Sequence, residues 1–159
     1  MRPYPPLGIL SIAAFLEQNH FHVDVFDTTF STKTDFENYL SQNRPNVVGI
    51  YVNLMTKLNV LSMIKYIKSN FTSTKVVLGG PEVTHSAENF LRHGADFIVI
   101  GEGEQTMLEL CLAIGNNSDL SSVHGVGYLS GNKFIRTHER EKLKHLDDLP
   151  IPARHKIDL

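Results

Sequence analysis

The stretch of sequence that decides the fold is Val76-Val77-Leu78-Gly79-Gly80-Pro81-Glu82-Val83-Thr84-His85. Its apolar run is too short for a helix and stops at two glycines and a proline, as a buried parallel strand does beside a ligand. Gly79 and Gly80 have no Cβ, so a large group can approach the backbone or the chain can take a positive φ. The pattern returns as Phe97-Ile98-Val99-Ile100-Gly101-Glu102-Gly103-Glu104-Gln105. Two strands that end in glycine loops predict one edge of an open α/β sheet, where ligands bind.

Helices and strands alternate along the chain up to Gly115. The predicted order is a helix from Pro6 to about Asn19, a strand over 22–26, a helix opened by the capping box Thr34-Asp35-Phe36-Glu37, a strand over 47–52, a helix after Thr56, the Val76 strand, a helix ending at Gly94, the Phe97 strand and the Cys111 helix. The expected inward residues are Ile9, Ile12, Ala13 and Leu16, then Phe36, Tyr39 and Leu40, then Leu58, Leu61, Ile64 and Ile67. Strands that alternate with helices pair in parallel.

After Gly115 the pattern changes. Residues 125–129 and 134–136 flank the turn Ser130-Gly131-Asn132-Lys133, which predicts a β-hairpin. The charged residues and prolines that follow are typical of a linker. We therefore predict a doubly wound parallel sheet with a C-terminal β-hairpin, in a domain over residues 1–136 that continues into a linker over 137–159.

One strand is missing from this arrangement. A doubly wound domain normally begins with a central strand before its first helix, and only Met1 to Tyr4 precede Pro5. Either the first central strand is truncated, which we expect, or the strand over 22–26 pairs directly with the strand over 47–52. A vacant position would leave backbone groups unpaired inside a buried sheet, which is costly.

Composition limits the class of protein. The 159 residues, 42% hydrophobic with a net charge of −2, suit one globular domain and give no support for nucleic-acid or anionic-membrane binding. No apolar run approaches the ~20 residues that span a bilayer, and the N-terminus lacks a signal peptide, so we predict a cytoplasmic protein. The single cysteine, Cys111, excludes an internal disulfide and a multi-thiolate metal site. It lies in an apolar helical stripe with Met107, Leu110 and Ile114, which predicts a core thiol.

Three loops, residues 53–56, 79–85 and 101–106, follow the carboxyl ends of the strands and define the expected binding edge. The last loop lacks the third glycine of a dinucleotide fingerprint, and the chain has no Walker A lysine. Glu102 and Glu104 suit the positive end of a helix dipole but repel phosphate. A bulky, largely uncharged ligand rich in hydrogen-bonding groups therefore fits this edge better than a polyphosphate.

Catalytic side chains are not evident at this edge. Of the eight histidines only His85 lies there, and a lone loop histidine is more often solvated than a metal ligand. No loop places a nucleophile beside a base, and helix-end stabilisation explains Glu102 and Glu104. We therefore predict a binding module with no catalytic residue and no metal ligand of its own, rather than a self-sufficient catalyst.

Four motifs occur in an order that resembles a known family. They are Pro5-Pro6-Leu7-Gly8-Ile9-Leu10-Ser11-Ile12-Ala13-Ala14-Phe15-Leu16, Gly79-Gly80-Pro81 followed by Thr84, Gly101-Glu102-Gly103-Glu104 with Thr106, and Leu146-Asp147-Asp148-Leu149-Pro150-Ile151-Pro152. Over nearly its whole length the chain resembles the N-terminal cobalamin (B12)-binding domain of B12-dependent radical S-adenosylmethionine (SAM) enzymes, which include magnesium-protoporphyrin ester cyclases. The last motif resembles the segment that leads into that family's catalytic barrel.

The resemblance implies a flavodoxin-like or Rossmann-like fold that binds cobalamin, and metal-ion binding with it. The corrin would lie across the edge through backbone and amide contacts with Asn53, Met55, Thr56, Gly79, Gly80, Pro81, Glu82, Gly101, Glu102, Gly103 and Gln105. Methyl transfer or related C–C bond chemistry would need a C-terminal radical SAM barrel that carries SAM and a [4Fe-4S] cluster. Cys111 alone cannot supply that cluster's three-cysteine motif. The Asp-x-His-x-x-Gly motif is also absent, so no histidine of this chain is expected on cobalt.

Two other interpretations stay open. A non-catalytic scaffold that docks on such a barrel would bind no corrin, and side chains such as Met55, Glu82 and His85 would block its edge. A fragment of a nucleotide-sugar or nucleotide-binding enzyme is the third interpretation, which the acidic turn at Glu102 and Glu104 disfavours.

Overall fold

The computed structural model describes residues 5–157, which contain five α-helices and a five-stranded sheet. The helices are α1 (Leu7–Gln18), α2 (Lys33–Asn43), α3 (Lys57–Asn70), α4 (Pro81–Arg92) and α5 (Glu104–Asn116), and the strands are β1 (Val47–Tyr51), β2 (Lys75–Gly79), β3 (Phe97–Val99), β4 (Val126–Ser130) and β5 (Lys133–Arg136). The described residues divide into two compact units, one made of 5–44 with 143–157 and the other of 45–142.

The sheet lies in the second unit, and its strands follow the order β1-β2-β3-β4-β5. β1 and β2 are parallel, as are β2 and β3, whereas β4 and β5 form an antiparallel hairpin beside β3. The predicted α/β fold with a C-terminal hairpin is therefore confirmed. The ends of β1, β2 and β3 share one edge, which we call the carboxyl edge, and β4 begins there because Val126 lies opposite Val99.

The core of the second unit is built on β2 and β3, whose residues are apolar in succession because helices cover both faces of a parallel sheet. Leu78 and Ile98 are fully buried, as is Ile64 of α3, and each such side chain contributes roughly 1.5–3 kcal/mol to folding. The prediction that Leu58 faces inward is wrong, since its side chain is 79% exposed. It lies about 200° around the helix from the buried Val60.

In the first unit, α1 buries Leu10, Ala13, Ala14 and Leu16. Ile9 and Ile12, predicted to be core residues, are only partly buried. Ala13 and Ala14 pack with Ala153 of the tail, whose N–H donates to Leu10 O (3.0 Å). Farther along, Lys156 Nζ donates to Val23 O (2.5 Å) and pairs with Glu17 (2.8 Å). The predicted domain boundary at residue 136 stays a prediction.

The strand predicted over residues 22–26 is wrong, because the structure assigns none of them to a strand. Direct pairing with residues 47–52 is also wrong, since among the described strands β1 pairs only with β2. An extended segment becomes a strand only when a neighbour supplies ladder hydrogen bonds. Here a side-chain bond, from Tyr39 Oη to Asp24 Oδ2 (2.7 Å), holds the segment instead. Residues 1–4, on which the expectation of a truncated first strand depends, lie outside the described residues.

The capping box of α2 lies two residues earlier than predicted, at Thr32 rather than Thr34. The Thr32 hydroxyl oxygen accepts from Asp35 N (3.2 Å), and Asp35 Oδ2 accepts from Thr32 N (2.7 Å). The predicted pair, Thr34 and Glu37, and the observed pair, Thr32 and Asp35, both have the spacing of three that a capping box requires. The carboxylate that accepts the backbone N–H is therefore that of Asp35 and not that of Glu37.

Candidate functional site: the carboxyl edge

The loop between β1 and α3 is closed by its own side chains. Asn53 Oδ1 accepts from Thr56 N (3.0 Å), and Thr56 Oγ1 accepts from Asn53 N (3.1 Å). This reciprocal pair satisfies two backbone donors of the loop itself, those of Asn53 and of the N-cap residue Thr56. Thr56 therefore shapes the loop, and Asn53 keeps its Nδ2 as a side-chain donor.

This closed loop holds apolar side chains in water. Leu54 is 75% exposed and Met55 89%, and they are followed by the exposed Leu58 in the first turn of α3. We call Leu54, Met55 and Leu58 the exposed apolar set. The prediction included Met55 alone, although a Leu-Met pair between a buried strand and a helix is a usable sequence signal. Such a run of exposed apolar residues is typical of a surface that binds something.

The two glycines at the end of β2 have different roles. At Gly80, whose φ is +107°, a Cβ would lie 2.4 Å from Val52 O. Gly80 thus lets the loops after β1 and β2 touch, and Glu82 N donates to Val52 O (3.4 Å). A Cβ on Gly79 would meet nothing within 4 Å, and the same holds for Gly101. Gly79 and Gly101 therefore leave open backbone surface at the edge.

Lys57 and Glu82 join the first two loops by an ion pair. Lys57 Nζ lies 2.9 Å from Glu82 Oε1 and 3.3 Å from Ser86 Oγ, where α4 is kinked. The hydrogen bond from Lys57 lowers the pKa of Glu82, and the smaller effect of desolvation does not reverse this. Lys57 was missed, although a lysine and a glutamate in the first turns of helices after adjacent parallel strands were visible in the sequence.

The third loop, residues 101–105, is fixed at the start of α5 by Thr106, which is fully buried. Thr106 Oγ1 donates to His124 O (3.1 Å) and accepts from Arg140 Nε (2.7 Å). Arg140 also donates to Glu109, whose other oxygen accepts from Gln105 Nε2 (2.9 Å). Arg140 lies in the predicted linker, and no local pattern in the sequence indicated it.

The structure gives neither His85 nor Cys111 the surroundings of a reactive group. His85 is exposed, and within residues 5–157 no three His, Cys, Asp or Glu side chains group as a metal site would require. Cys111 is partly rather than fully buried, and desolvation raises the pKa of its thiol to about 11, which makes it a poor nucleophile. None of the described helices has the length and apolarity needed to cross a bilayer.

The edge therefore brings the three predicted loops to the ends of adjacent strands. It combines open glycine backbone, exposed apolar side chains and amide groups, while the Glu82 and Glu109 carboxylates are already paired with Lys57 and Arg140. Such a surface can hold a large ligand with an apolar face and a polar amide fringe.

The chain is similar to several known proteins. The sequence model of the B12 binding domain matches residues 2–111. An uncharacterized methyltransferase of Pyrococcus horikoshii, PH0819, is 29% identical over 153 residues, which are 94% of this chain and 33% of that protein. The anaerobic magnesium-protoporphyrin IX monomethyl ester cyclase of Synechocystis is 29% identical over 149 residues, which are 90% of this chain and 30% of that protein.

Among solved structures, the cobalamin-dependent SAM radical enzyme OxsB, with aqua-cobalamin and SAM bound, superposes with a TM-score of 0.87. It is 21% identical, and the match covers 95% of this chain but 22% of OxsB. This likeness supports the fold. The chain spans a third or less of each of these three proteins.

Proposed function

Because the chain belongs to the B12-binding domain family, we propose that its carboxyl edge binds cobalamin for a B12-dependent radical SAM enzyme. The observation that supports this most is the open backbone at Gly79 and Gly101 on the same edge as the exposed apolar set. A corrin has the matching character, since it is a large, mostly apolar ring with amide side chains around it.

The residues present fit this group. A Cβ at Gly79 would project into open space, so the absence of a side chain leaves room for a flat ring to reach the backbone. Leu54, Met55 and Leu58 would cover the ring and exclude water from it. The corrin ring itself carries no phosphate, which agrees with the glutamates at the start of α5.

The predicted site residues would have two roles, contact with the ligand and support of the loops. Asn53 Nδ2, the Gln105 amide and the backbone of Gly79, Gly101 and Gly103 would bind the amide fringe. Thr56, Gly80, Pro81 and Glu82 would hold the loops in place, since their contacts are with the protein itself. Glu102 would lie beside the ligand at the third loop. We propose no histidine of this chain as a cobalt ligand.

We also propose that the chain works with a radical SAM barrel that carries SAM and a [4Fe-4S] cluster. The greater lengths of the relatives and the description of OxsB as a cobalamin-dependent SAM radical enzyme support this, and the one cysteine, Cys111, could not hold such a cluster. Bound cobalamin would supply a transferable methyl group or related C–C bond chemistry. The residues of this chain would bind and orient it, and a cytoplasmic location stays a prediction.

The proposal is tested with hydroxocobalamin. The chain is mixed with an excess, desalted, and its visible spectrum is read. We expect the protein to retain corrin with a base-off spectrum, whereas Gly79→Leu loses it because the new side chain fills the open surface. Gly115→Leu is the matched control, since a Cβ at this exposed position also meets nothing within 4 Å but lies at the far end of α5.

The alternative of a scaffold that binds no corrin has one observation in its favour, because the exposed apolar set would also suit a protein surface. A cooperatively melting chain that retains no corrin would favour the scaffold. Equal retention by the Gly79→Leu and Gly115→Leu variants would show that corrin binds elsewhere.

A further inference from the structure

The Glu109 carboxylate accepts two hydrogen bonds, one from a residue that precedes it in the sequence and one from a residue that follows it. Arg140 Nη2 donates to Oε2, and Gln105 Nε2 donates to Oε1 (2.9 Å). Arg140 is itself fixed, because its Nε donates to the buried Thr106 (2.7 Å) and its side chain is only 16% exposed. Gln105 is one of the residues proposed to bind the ligand.

The donors and acceptors of this hydrogen-bond network determine which atom of the Gln105 amide faces Glu109. A guanidinium only donates and an ionised carboxylate only accepts, so the Gln105 atom that meets Glu109 must be the nitrogen. Burial alone would raise the pKa of Glu109, but the hydrogen bonds from Arg140 and Gln105 outweigh it and lower that pKa. Glu109 is therefore ionised at neutral pH, and Gln105 Oε1 is left as the acceptor of this amide.

We propose that Arg140 and Glu109 are positioning residues that orient the Gln105 amide, so that its oxygen accepts a hydrogen bond from an amide N–H of the corrin fringe. This inference rests on the proposed function and deepens it. It assigns a role in ligand selection to a residue that lies 35 positions after Gln105 and outside the three loops.

The informative variant is Glu109→Gln. Its single side-chain oxygen has to accept from Arg140, so its NH₂ group faces Gln105 and turns that amide around. The nitrogen of Gln105 then replaces the oxygen toward the ligand, and two donors meet. We expect the dissociation constant for hydroxocobalamin to rise ~10-fold, as for a lost hydrogen bond that leaves a donor unpaired.

The control is Glu88→Gln, which breaks an exposed Glu–Arg pair with Arg92 on α4 and should leave affinity unchanged. Gln105→Met removes the amide and should weaken binding by a similar factor. In the Gln105→Met background Glu109→Gln should have no further effect, because its action passes through Gln105. A purely structural role of Glu109 would instead weaken binding equally in both backgrounds.

A second measurement changes the ligand and leaves Glu109 intact. In the b-, d- and e-monocarboxylic acids of cobalamin, one amide donor is replaced by a carboxylate. The unmodified chain should bind at least one of these acids ~10-fold more weakly than cobalamin, and Gln105→Met should discriminate much less. This comparison tests whether Gln105 presents its oxygen to the ligand even if Glu109→Gln fails to fold, which thermal melting would reveal.

The outcomes separate the two proposals. If the unmodified chain binds no hydroxocobalamin, the proposed function fails and this inference fails with it. If it binds, but neither the double-variant comparison nor the monocarboxylic acids distinguish Gln105, the inference alone is overturned.

Discussion

The two ends of the parallel strands differ in how their polar groups are used. At the amino ends of the strands, which we call the amino edge, Asp96 Oδ2 accepts from Val76 N (2.8 Å) and from Lys68 Nζ (2.7 Å), with Lys75 Nζ 3.9 Å from Oδ1. At the carboxyl edge ion pairs also occur, but Gly79 and Gly101 stay uncovered beside exposed apolar side chains. The same strands thus have one end that is closed by charge and one that is left accessible.

The difference suggests a division between folding and binding. The Asp96 carboxylate extends the ladder of β2 where the strand begins, so it contributes to stability and touches none of the proposed ligand residues. The Lys57–Glu82 pair and the Arg140–Glu109 pair instead lie behind loops that are proposed to contact the ligand. Substitutions at the two edges should therefore separate loss of stability from loss of affinity.

The largest expected effect is that of Gly80→Ala, which tests whether this glycine serves folding. Its φ of +107° and the 2.4 Å approach of the added Cβ to Val52 O should cost ~3 kcal/mol of unfolding free energy. Urea denaturation measures the loss. Gly79→Ala is the control and should stay within about 0.5 kcal/mol of the unmodified chain. Equal losses would remove the distinction between the two glycines.

Asp96→Ala should cost about 2 kcal/mol, because the Val76 N–H and the Lys68 ammonium both lose a charged acceptor. Asp96→Asn should lose less, since it retains an oxygen for Val76. Urea denaturation gives the stability and hydroxocobalamin titration of the folded fraction gives the affinity. A change of affinity with Asp96→Ala would contradict the separation of the two edges.

The double variant Met55→Ser, Leu58→Ser tests the carboxyl edge, where affinity and not stability should change. Both side chains are exposed, so stability should change little, whereas hydroxocobalamin affinity should fall ~10-fold through lost apolar contact. Titration by visible absorbance measures the affinity. Leu112→Ser, at a partly exposed leucine on α5, should have no such effect. Unchanged affinity in the double variant would exclude the exposed apolar set from the site.

The smallest expected effect is the pH dependence of the Lys57–Glu82 pair. Lys57 lowers the pKa of Glu82 below its ordinary 4.5, so the pair stabilises the fold above about pH 4.5 and ceases to do so as the pH falls through the lowered pKa. Thermal melting from pH 7 to pH 3 should show a difference between the unmodified chain and Lys57→Met that shrinks in acid. Lys33→Met, which breaks an exposed pair with Glu37, is the control, and a constant difference would contradict the assignment.

The sequence was sufficient for features that depend on local rules. The glycines after β2 marked the carboxyl edge because strand ends and positive φ values select glycine, and the hairpin followed from its turn. The prediction of a strand over 22–26 was wrong because a strand needs a neighbouring strand, and an alternation of apolar and polar residues cannot guarantee one. The buried face of α1 was predicted in part: Ala13 and Leu16 are buried as expected, but Leu10 and Ala14 are also buried, and Ile9 and Ile12 are only partly buried.

The candidate site was predictable at the level of loops but not of contacts. Topology alone brings the predicted loops 53–56, 79–85 and 101–106 to one edge. The roles of Lys57 and Arg140 depend on tertiary distances. Those of Gly79 and Gly80 differ because Gly80 has a positive φ and lies beside the backbone of Val52. The assignment of the site residues to cobalamin stays a prediction.

The self-closed loop of Asn53 and Thr56 has a consequence for the kinetics of association. Since the reciprocal hydrogen bonds fix the backbone between β1 and α3, Leu54 and Met55 are held in place before any ligand arrives. The conformational entropy of this segment is then lost during folding and not at the encounter. Corrin uptake should accordingly follow a single exponential whose rate grows linearly with ligand concentration, without a slow rearrangement that limits it.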